Sequence, residues 1–212
     1  RSMKCIPYRI LADNSKQPLL PAEEVVEKII TDLEDAKEYM SFESSISLSD
    51  HENKDRRFRF NYHAINALLA RVYAYAGDAE NALACAKSVI DNCGLTLKND
   101  NQNDPVLFSE TICGLNMFEM DVNLSSAFSI GEKINQQNFC NFTTLNSLFQ
   151  ITGTESEDMR AKSAAFHRSN DEQKAISRKY IDNDNEIIPL IRLPEMYYIM
   201  CEMSPLEDAP TF

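Results

Sequence analysis

The stretch LLARVYAYAGDAENALACAKSVI, Leu68–Ile90, decides the fold, because small residues recur at regular places along a long helical pattern. A solitary amphipathic helix needs large apolar residues on one face and gains nothing from repeated alanines. Alanines at a fixed spacing indicate that a second helix packs very close, and Gly77 predicts where the chain folds back. The stretch therefore predicts a hairpin of two antiparallel helices, with Asp78 capping the second helix.

This hairpin fits the tetratricopeptide pattern, a repeat of about 34 residues built from two antiparallel helices. The facing surfaces carry the large, small and aromatic residues that the pattern requires: Leu69, Ala70, Tyr73, Ala82, Ala86 and Val89. The full pattern occurs once, and a single repeat needs neighbouring helices to bury its remaining faces. We therefore expect further scaffold helices on either side of it.

Two such helices are predicted. Pro21 is expected at the first helical position of a helix that runs to Met40, and a last helix is expected from Pro194 to Met203. Between the scaffold segments the periodicity weakens, which predicts an irregular stretch with a short strand or two and short helical pieces. The organisation predicted is one domain over 1–212, with a repeat scaffold (21–94), a loop-rich insertion (95–190) and a further scaffold helix (191–204).

The charge balance excludes some partners. The 33 acidic and 21 basic residues give a net charge of −12, which opposes binding to nucleic acid and to an anionic membrane surface. The six cysteines are scattered without a C-x-x-C pair, and do not indicate a disulfide framework. Free buried thiols are expected, with one or two disulfides as the open alternative, at Cys5, Cys85, Cys93, Cys113, Cys140 and Cys201.

The order of segments resembles the SusD/RagB family of nutrient-binding outer-membrane lipoproteins. FNYHAINALLARVYAYAGDAENALACAKSVID is similar to the Ala-rich hallmark of that family. Four other segments resemble family motifs in the correct order: KCIPY with VVEKIITDLEDAKEYM, LFSETICGLNM, EDMRAKSAAF with Arg160, and IPLIRLPEMYYIMCEMS. Family members are longer, so the resemblance implies that the chain is the central, incomplete part of such a protein.

The resemblance implies a mainly α fold of tetratricopeptide-like hairpins, an α-α superhelix of SusD type. The implied function is that of a surface-exposed outer-membrane lipoprotein of Bacteroidota. It would capture oligosaccharide, or peptide, and pass it to a SusC-like TonB-dependent transporter, with no bond broken and no cofactor. On this interpretation, contact with the membrane is expected only through a lipid anchor outside this chain. The alternative is an intracellular tetratricopeptide-like adaptor that binds a protein or peptide partner.

No catalytic or metal-binding constellation is recognised. His51, His63 and His167 stand far apart without metal-ligand spacing, and His63 is expected to be a structural or surface residue. Acidic residues that lack the glycine and glutamate of a calcium loop are read as solvated turns: Asp100, Asp104, Asp182, Asp184 and Glu186. Glu195 and Glu202 are read as helix surface or packing contacts, so an enzyme such as a glycoside hydrolase is disfavoured.

Aromatic residues are the remaining candidates for sugar contact. The chain has no Trp, but it has eight Tyr and eleven Phe. Four helical tyrosines are expected in the core, namely Tyr73, Tyr75, Tyr197 and Tyr198. Five phenylalanines lie in the irregular middle, namely Phe118, Phe128, Phe139, Phe142 and Phe149. The sequence assigns none of them as a ligand-binding residue, and the binding site stays unknown at this stage.

Overall fold

A computed structural model describes residues 3–98, 104–120, 122–124, 138–151, 158–161, 165–169, 173–179 and 186–205, without the side chains of Cys5, Met159 and Ser169. The chain divides into two compact units. The helical unit comprises 1–53, 60–94 and 193–212, and the strand unit comprises 54–59 and 95–192.

The elements are named in chain order. The α-helices are α1 (Ala22–Tyr39), α2 (Tyr62–Ala76), α3 (Ala79–Asn92), α4 (Phe142–Leu148) and α5 (Leu193–Met203). The strands are β1 (Lys4–Pro7), β2 (Leu19–Pro21), β3 (Thr111–Asn116), β4 (Cys140–Asn141), β5 (Phe166–Ser169), β6 (Lys174–Ser177) and β7 (Ile187–Arg192). Short 3₁₀ helices cover Ser41–Glu43, His51–Phe58, Phe108–Glu110 and Met159–Ala161. Within the described ranges, no helix combines the length and apolar character needed to cross a membrane.

The first helix begins one residue later than predicted. Pro21 precedes α1 with an extended ψ of 153°, so it is the N-cap and not the first helical residue. The reason is that β1 and β2 pair in antiparallel fashion and Pro21 lies opposite Lys4 in that ladder. Proline has no N–H to donate to a neighbouring strand, and the edge of a sheet tolerates this lack.

The predicted hairpin forms as expected. The Asn61 side chain caps α2 by accepting a hydrogen bond from the N–H of Ala64 at 3.0 Å. Gly77 ends α2 in the left-handed conformation, with φ of 87°, which glycine adopts without steric cost. The Asp78 carboxylate then accepts from the N–H of Asn81 at 3.1 Å and caps α3. Local sequence signals therefore determine both helix starts and the turn between them.

The alanines mark the closest helix contacts in the helical unit. Helix α2 packs against α1 and α3, and α3 also packs against α5. Five alanines of α2 and α3 have no solvent exposure at all: Ala64, Ala67, Ala70, Ala82 and Ala86. Larger side chains fill the remaining core, including Leu69, Val89, Leu193 and Met196. The small residues let the helix backbones approach while these larger residues interdigitate beside them.

The segment between α1 and α2 contains 3₁₀ turns and is bound to the end of the hairpin. The N–H of Leu48 donates to the carbonyl oxygen of Cys93 at 2.8 Å, and Leu48 is buried. Gly94 has φ of 75°, and a Cβ added there would overlap the Oγ of Ser47. The end of α3 therefore needs a glycine both for its left-handed backbone and for this close approach.

The Asp78 cap gives a testable prediction. Replacing Asp78 by alanine leaves the first N–H groups of α3 without their carboxylate partner and is expected to lower the free energy of unfolding by about 1 kcal/mol. Asp91→Ala is the matched control, because Asp91 lies near the other end of α3 and makes only an exposed 3.0 Å ion pair with Lys87. Urea unfolding of both variants measures the difference, and equal losses would contradict a capping role.

The described residues of the strand unit form two small sheets. Strands β3 and β7 pair in antiparallel fashion, and a three-stranded sheet has the order β4-β6-β5. Val106, Phe108 and Ile187 form a buried cluster, with Phe58 packed against it. The short strand and the short helical pieces expected in this stretch are present, for example β3 and α4, while the three-stranded sheet was not predicted. The prediction of a mainly α fold with a loop-rich insertion is confirmed.

The cysteines whose side chains the structure describes are free thiols. Cys85, Cys93 and Cys113 are buried, as expected for core residues. Cys140 is half-buried and Cys201 is exposed, so the expectation of a buried thiol is wrong at these two positions. Burial raises the pKa of the Cys85 and Cys113 thiols, which keeps them protonated and unreactive at neutral pH.

Candidate functional site

Helices α2 and α5 line a cleft of about 340 Å³ in the helical unit. We call it the tyrosine cleft, because two exposed tyrosines lie in it. Its lining residues are Arg71, Ala74, Tyr75, Glu195, Tyr198, Ile199 and Glu202. The cleft combines two aromatic rings with a cation and two carboxylates, so it offers both flat apolar faces and hydrogen-bonding groups to a small polar molecule.

Helical spacing places these groups on one face of each helix. Arg71 and Tyr75 are four residues apart on α2, and Tyr198 and Glu202 are four apart on α5. The sequence prediction that these tyrosines lie in the core is wrong for Tyr75 and Tyr198, which are 60% and 69% exposed. On α5 the buried positions are Leu193, Met196 and Ile199, and Tyr198 points away from that stripe.

The lining of the tyrosine cleft includes a paired cation and carboxylate. Arg71 Nε lies 2.5 Å from Glu195 Oε1, and Arg71 Nη2 lies 2.7 Å from Glu195 Oε2. The hydrogen bonds to Glu195 raise the pKa of Arg71, so the guanidinium stays charged. Both side chains are partly exposed, at 44% and 30%, so the pair contributes little to stability and mainly fixes the two side chains in place.

Tyr73 links two scaffold helices and does not line the tyrosine cleft. Its hydroxyl donates a hydrogen bond to Glu34 Oε1 at 3.2 Å and links α2 to α1. Burial, together with the negative charge of Glu34, raises the pKa of Tyr73 to about 12. Tyr73 and Tyr197 are half-buried, which agrees better with the expected packing role than the exposure of Tyr75 and Tyr198 does.

A second cleft, of about 380 Å³, lies at the C-terminal part of α1. Its lining is acidic and strongly polar, and consists of Glu34, Asp35, Lys37, Glu38, Ser41 and Tyr62. The Lys37 ammonium already lies 3.5 Å from Glu34 Oε2. Because it offers one half-buried ring against several charges, this cleft has less of the aromatic surface that a sugar requires.

Three of the candidate phenylalanines in the strand unit have a cation over the ring. The centroid distances are 4.5 Å for Lys174 over Phe139, 5.8 Å for Arg168 over Phe142 and 5.4 Å for Arg160 over Phe149. One face of each ring is therefore already covered by a protein group. Phe118 is 75% exposed, and Phe128 lies outside the described residues.

Arg160, the arginine of the resemblance motif, has a structural setting. Its guanidinium pairs with Asp158, with Nη2 2.6 Å from Oδ2 and Nε 3.0 Å from Oδ1. These hydrogen bonds lower the pKa of the Asp158 carboxyl. The same guanidinium lies over Phe149, so Arg160 joins a turn to the aromatic residues at the end of α4.

The remaining polar candidates that the structure describes do not converge. The Asp104 carboxylate accepts from the N–H groups of Phe108 and Ser109 at 2.7 and 2.8 Å, so it caps a 3₁₀ helix. Glu186 Oε1 accepts from the N–H of Met120 at 3.3 Å. Asp100, Asp182 and Asp184 lie outside the described residues. Among the residues that are described, no three His, Cys, Asp or Glu side chains lie close enough together to hold a metal ion.

His63 is a buried structural residue, within the range of roles predicted for it. Its Nε2 lies 2.8 Å from the carbonyl oxygen of Ile46, and only 2% of the residue is exposed. Burial lowers the pKa of His63, although the Ile46 carbonyl and the charge of Glu43 act in the opposite direction. The imidazole thus holds the segment after α1 against the start of α2 in its neutral form.

The lowered pKa of His63 predicts a pH dependence of stability. An unfolded histidine titrates near pH 6.5, so the unfolded chain begins to bind more protons than the folded chain as the pH falls through that value. The contribution of His63 is therefore present above about pH 6.5 and lost below it. We expect the free energy of unfolding, measured with urea, to fall less between about pH 7.5 and 5.5 in His63→Gln than in the wild type. His51→Gln is the control, because His51 is exposed. If the free energy of unfolding of His63→Gln changed with pH as steeply as that of the wild type, His63 would not be the source of the pH dependence.

Known structures share this arrangement of elements. A surface glycan-binding protein A from Bacteroides uniformis superposes with a TM-score of 0.65 at 16% identity over 94% of this chain. A SusD superfamily protein from Bacteroides thetaiotaomicron VPI-5482 superposes with a TM-score of 0.66 at 14% identity over 93%. This is a SusD-like fold. The resemblance inferred from the order of the sequence motifs is thereby confirmed at the level of the fold.

A third structure of SusD-like fold, a laminarin-binding SusD-like protein, superposes with a TM-score of 0.59 at 16% identity over 88% of this chain. The chain spans about half the length of these proteins, namely 49%, 51% and 50%. No protein-family model matches the sequence, and no curated protein matches it either. At 14–16% identity, the similarity to these structures shows the fold.

The tyrosine cleft was missed by sequence reasoning, although part of its signal was present. The spacing of Arg71 and Tyr75 puts them on one face of α2, and Tyr198 and Glu202 share a face of α5. A polar and aromatic face opposite an apolar stripe indicates a surface with a purpose other than packing. The pairing of Arg71 with Glu195, 124 residues along the chain, has no local signal.

Proposed function

We propose that the chain belongs to a cell-surface nutrient-binding lipoprotein that captures oligosaccharide and passes it to a TonB-dependent outer-membrane transporter of SusC type. The observation that carries the proposal is the SusD-like fold, which extends over 88–94% of the chain. Two of the similar proteins are named for surface glycan binding and for laminarin binding. The role proposed is binding and delivery, without a chemical step.

The composition agrees with this role. The net charge of −12 opposes the binding of nucleic acids and anionic lipids, whereas it has little effect on the binding of neutral glycans. The helical unit supplies a stable scaffold of closely packed helices, on which side chains at the surface hold fixed positions. Exposed aromatic rings on such a scaffold supply the apolar faces against which the C–H surfaces of a sugar pack.

The proposal is tested with the full-length gene product in its native cell. Metabolic labelling with a fatty-acid probe tests for the lipid anchor, and protease added to intact cells tests for surface exposure. An affinity-tagged version is purified in mild detergent to test for the transporter, and a glycan array tests for the ligand. Labelling, surface cleavage, copurification of a TonB-dependent transporter and glycan binding are the expected results.

A second candidate function is a tetratricopeptide-like intracellular adaptor. The observation in its favour is the cleft between α2 and α5, since these two helices contact each other and α3 and offer a groove for a peptide. An unlabelled product that is protected from external protease, and that copurifies with a cytoplasmic protein, would replace the first proposal with this one. The same cell experiment therefore decides between the two functions.

A further inference from the structure

We propose that the tyrosine cleft is a binding site for one or two neutral sugar residues. Tyr75 and Tyr198 would provide the stacking surfaces, and Arg71, Glu195 and Glu202 the hydrogen-bonding groups for sugar hydroxyls. The inference rests on the proposed function, because it names a place where a captured glycan is held. It goes beyond that function by assigning the site to the helical scaffold and to particular residues.

The first argument is the exposure of two aromatic rings at one cleft. Tyr75 is 60% exposed and Tyr198 is 69% exposed, and the two residues come from different helices. Tyrosine presents a large flat surface and loses little conformational entropy on binding, which is why it is enriched in recognition sites. An exposed tyrosine elsewhere is unremarkable, but two that line the same cleft beside polar groups form a ready stacking surface.

The second argument is that the polar groups are already fixed. The two hydrogen bonds between Arg71 and Glu195 hold both planar groups in one orientation before any ligand arrives. A carboxylate has about four lone-pair sites, and Arg71 uses two of those on Glu195. Glu195 therefore keeps acceptor capacity for hydroxyl groups, and preorganised partners reduce the entropy that binding costs.

Charge and size limit the class of ligand. Arg71, Glu195 and Glu202 together carry a net charge of −1, which disfavours sulfated, phosphorylated and uronic-acid glycans. The volume of about 340 Å³ lies at the lower end of the range of about 300–1,000 Å³ that small-molecule sites occupy. The cleft therefore suits a short neutral segment of a glycan, not a long chain.

The test uses the 212-residue chain and a panel of neutral glucose trisaccharides with β-1,3, β-1,4 or α-1,4 linkages. Binding is measured by calorimetry and by tyrosine fluorescence, which is not obscured because the chain has no Trp. We expect at least one trisaccharide to bind the wild type, and Tyr198→Ala or Tyr75→Ala to weaken it about tenfold or more. Both residues are exposed, so the variants are expected to fold, and circular dichroism checks this.

Tyr39→Ala is the matched control, because Tyr39 is 82% exposed on α1 and lines neither cleft. It should bind as the wild type does. Unchanged binding in Tyr198→Ala and Tyr75→Ala, or binding of trisaccharide by the full-length product but not by this chain, would overturn the cleft assignment and leave the proposed function standing. Binding of a basic peptide at the cleft, without binding of any sugar, would also overturn the cleft assignment. Absence of glycan binding by the full-length product would instead overturn the proposed function.

Discussion

Replacing Ala86 by leucine is expected to destabilise the helical unit by about 1–3 kcal/mol, because the larger side chain has no space between the closely packed helices. Ala86 has no solvent exposure, and α3 contacts both α2 and α5. Leucine is almost as good a helix former as alanine, so the loss must come from packing and not from helix propensity. Each kcal/mol lowers the melting temperature by about 2–4 °C in a chain of this size.

Ala84→Leu is the control for this experiment. Ala84 lies two residues away on the same helix but is exposed, so the same change there meets no neighbour. We expect Ala84→Leu to melt within about 2 °C of the wild type, since exposed substitutions usually cost under 0.5 kcal/mol. If both variants lost the same stability, the small residues would not be explained by close helix packing, and the tetratricopeptide-like interpretation of the hairpin would fail.

The hairpin was predictable because its signals are local. The hydrogen bonds at the helix ends join groups no more than five residues apart, at Asn61, Gly77 and Asp78. Such short-range contacts can be predicted from neighbouring residues. The buried alanines follow helical spacing, and the spacing alone identifies the face that packs. At Pro21 the local signal is not sufficient. Its sequence context fits the first residue of a helix, but pairing with Lys4 keeps its backbone extended.

The tyrosine cleft and the strand unit depend on contacts between residues far apart in sequence. Tyr75 and Tyr198 were expected in the core because aromatic residues in apolar helices usually are, and only the packing of α2 and α5 shows that they face outward. The strands β4, β5 and β6 have two to four residues each, which is too short to show an alternating pattern. Tertiary pairing therefore decides these elements, and no single segment encodes it.

Replacing Arg57 by alanine is expected to destabilise the strand unit by about 3 kcal/mol, since hydrogen bonds from charged groups contribute about 1.5–3 kcal/mol and a desolvated cation–π contact adds to this. Arg57 is only 6% exposed. Its Nη1 donates to the carbonyl oxygen of Phe108 at 2.8 Å, and its guanidinium lies 4.6 Å from the centroid of the Phe108 ring. Phe58 stacks on Phe108 at 5.8 Å, so the loss of Arg57 also loosens the aromatic cluster.

Lys54→Ala separates the specific contacts of Arg57 from the general effect of removing a cation. Lys54 lies over the same Phe108 ring at 5.4 Å, but it is exposed and its ammonium remains hydrated. Its removal is expected to cost less than about 1 kcal/mol. Arg57→Lys should fall between the two, because an ammonium keeps the charge but not the planar fork that bonds the carbonyl and covers the ring. Equal losses for Arg57→Ala and Lys54→Ala in urea unfolding would show that burial of Arg57 contributes nothing, and that charge alone stabilises the cluster.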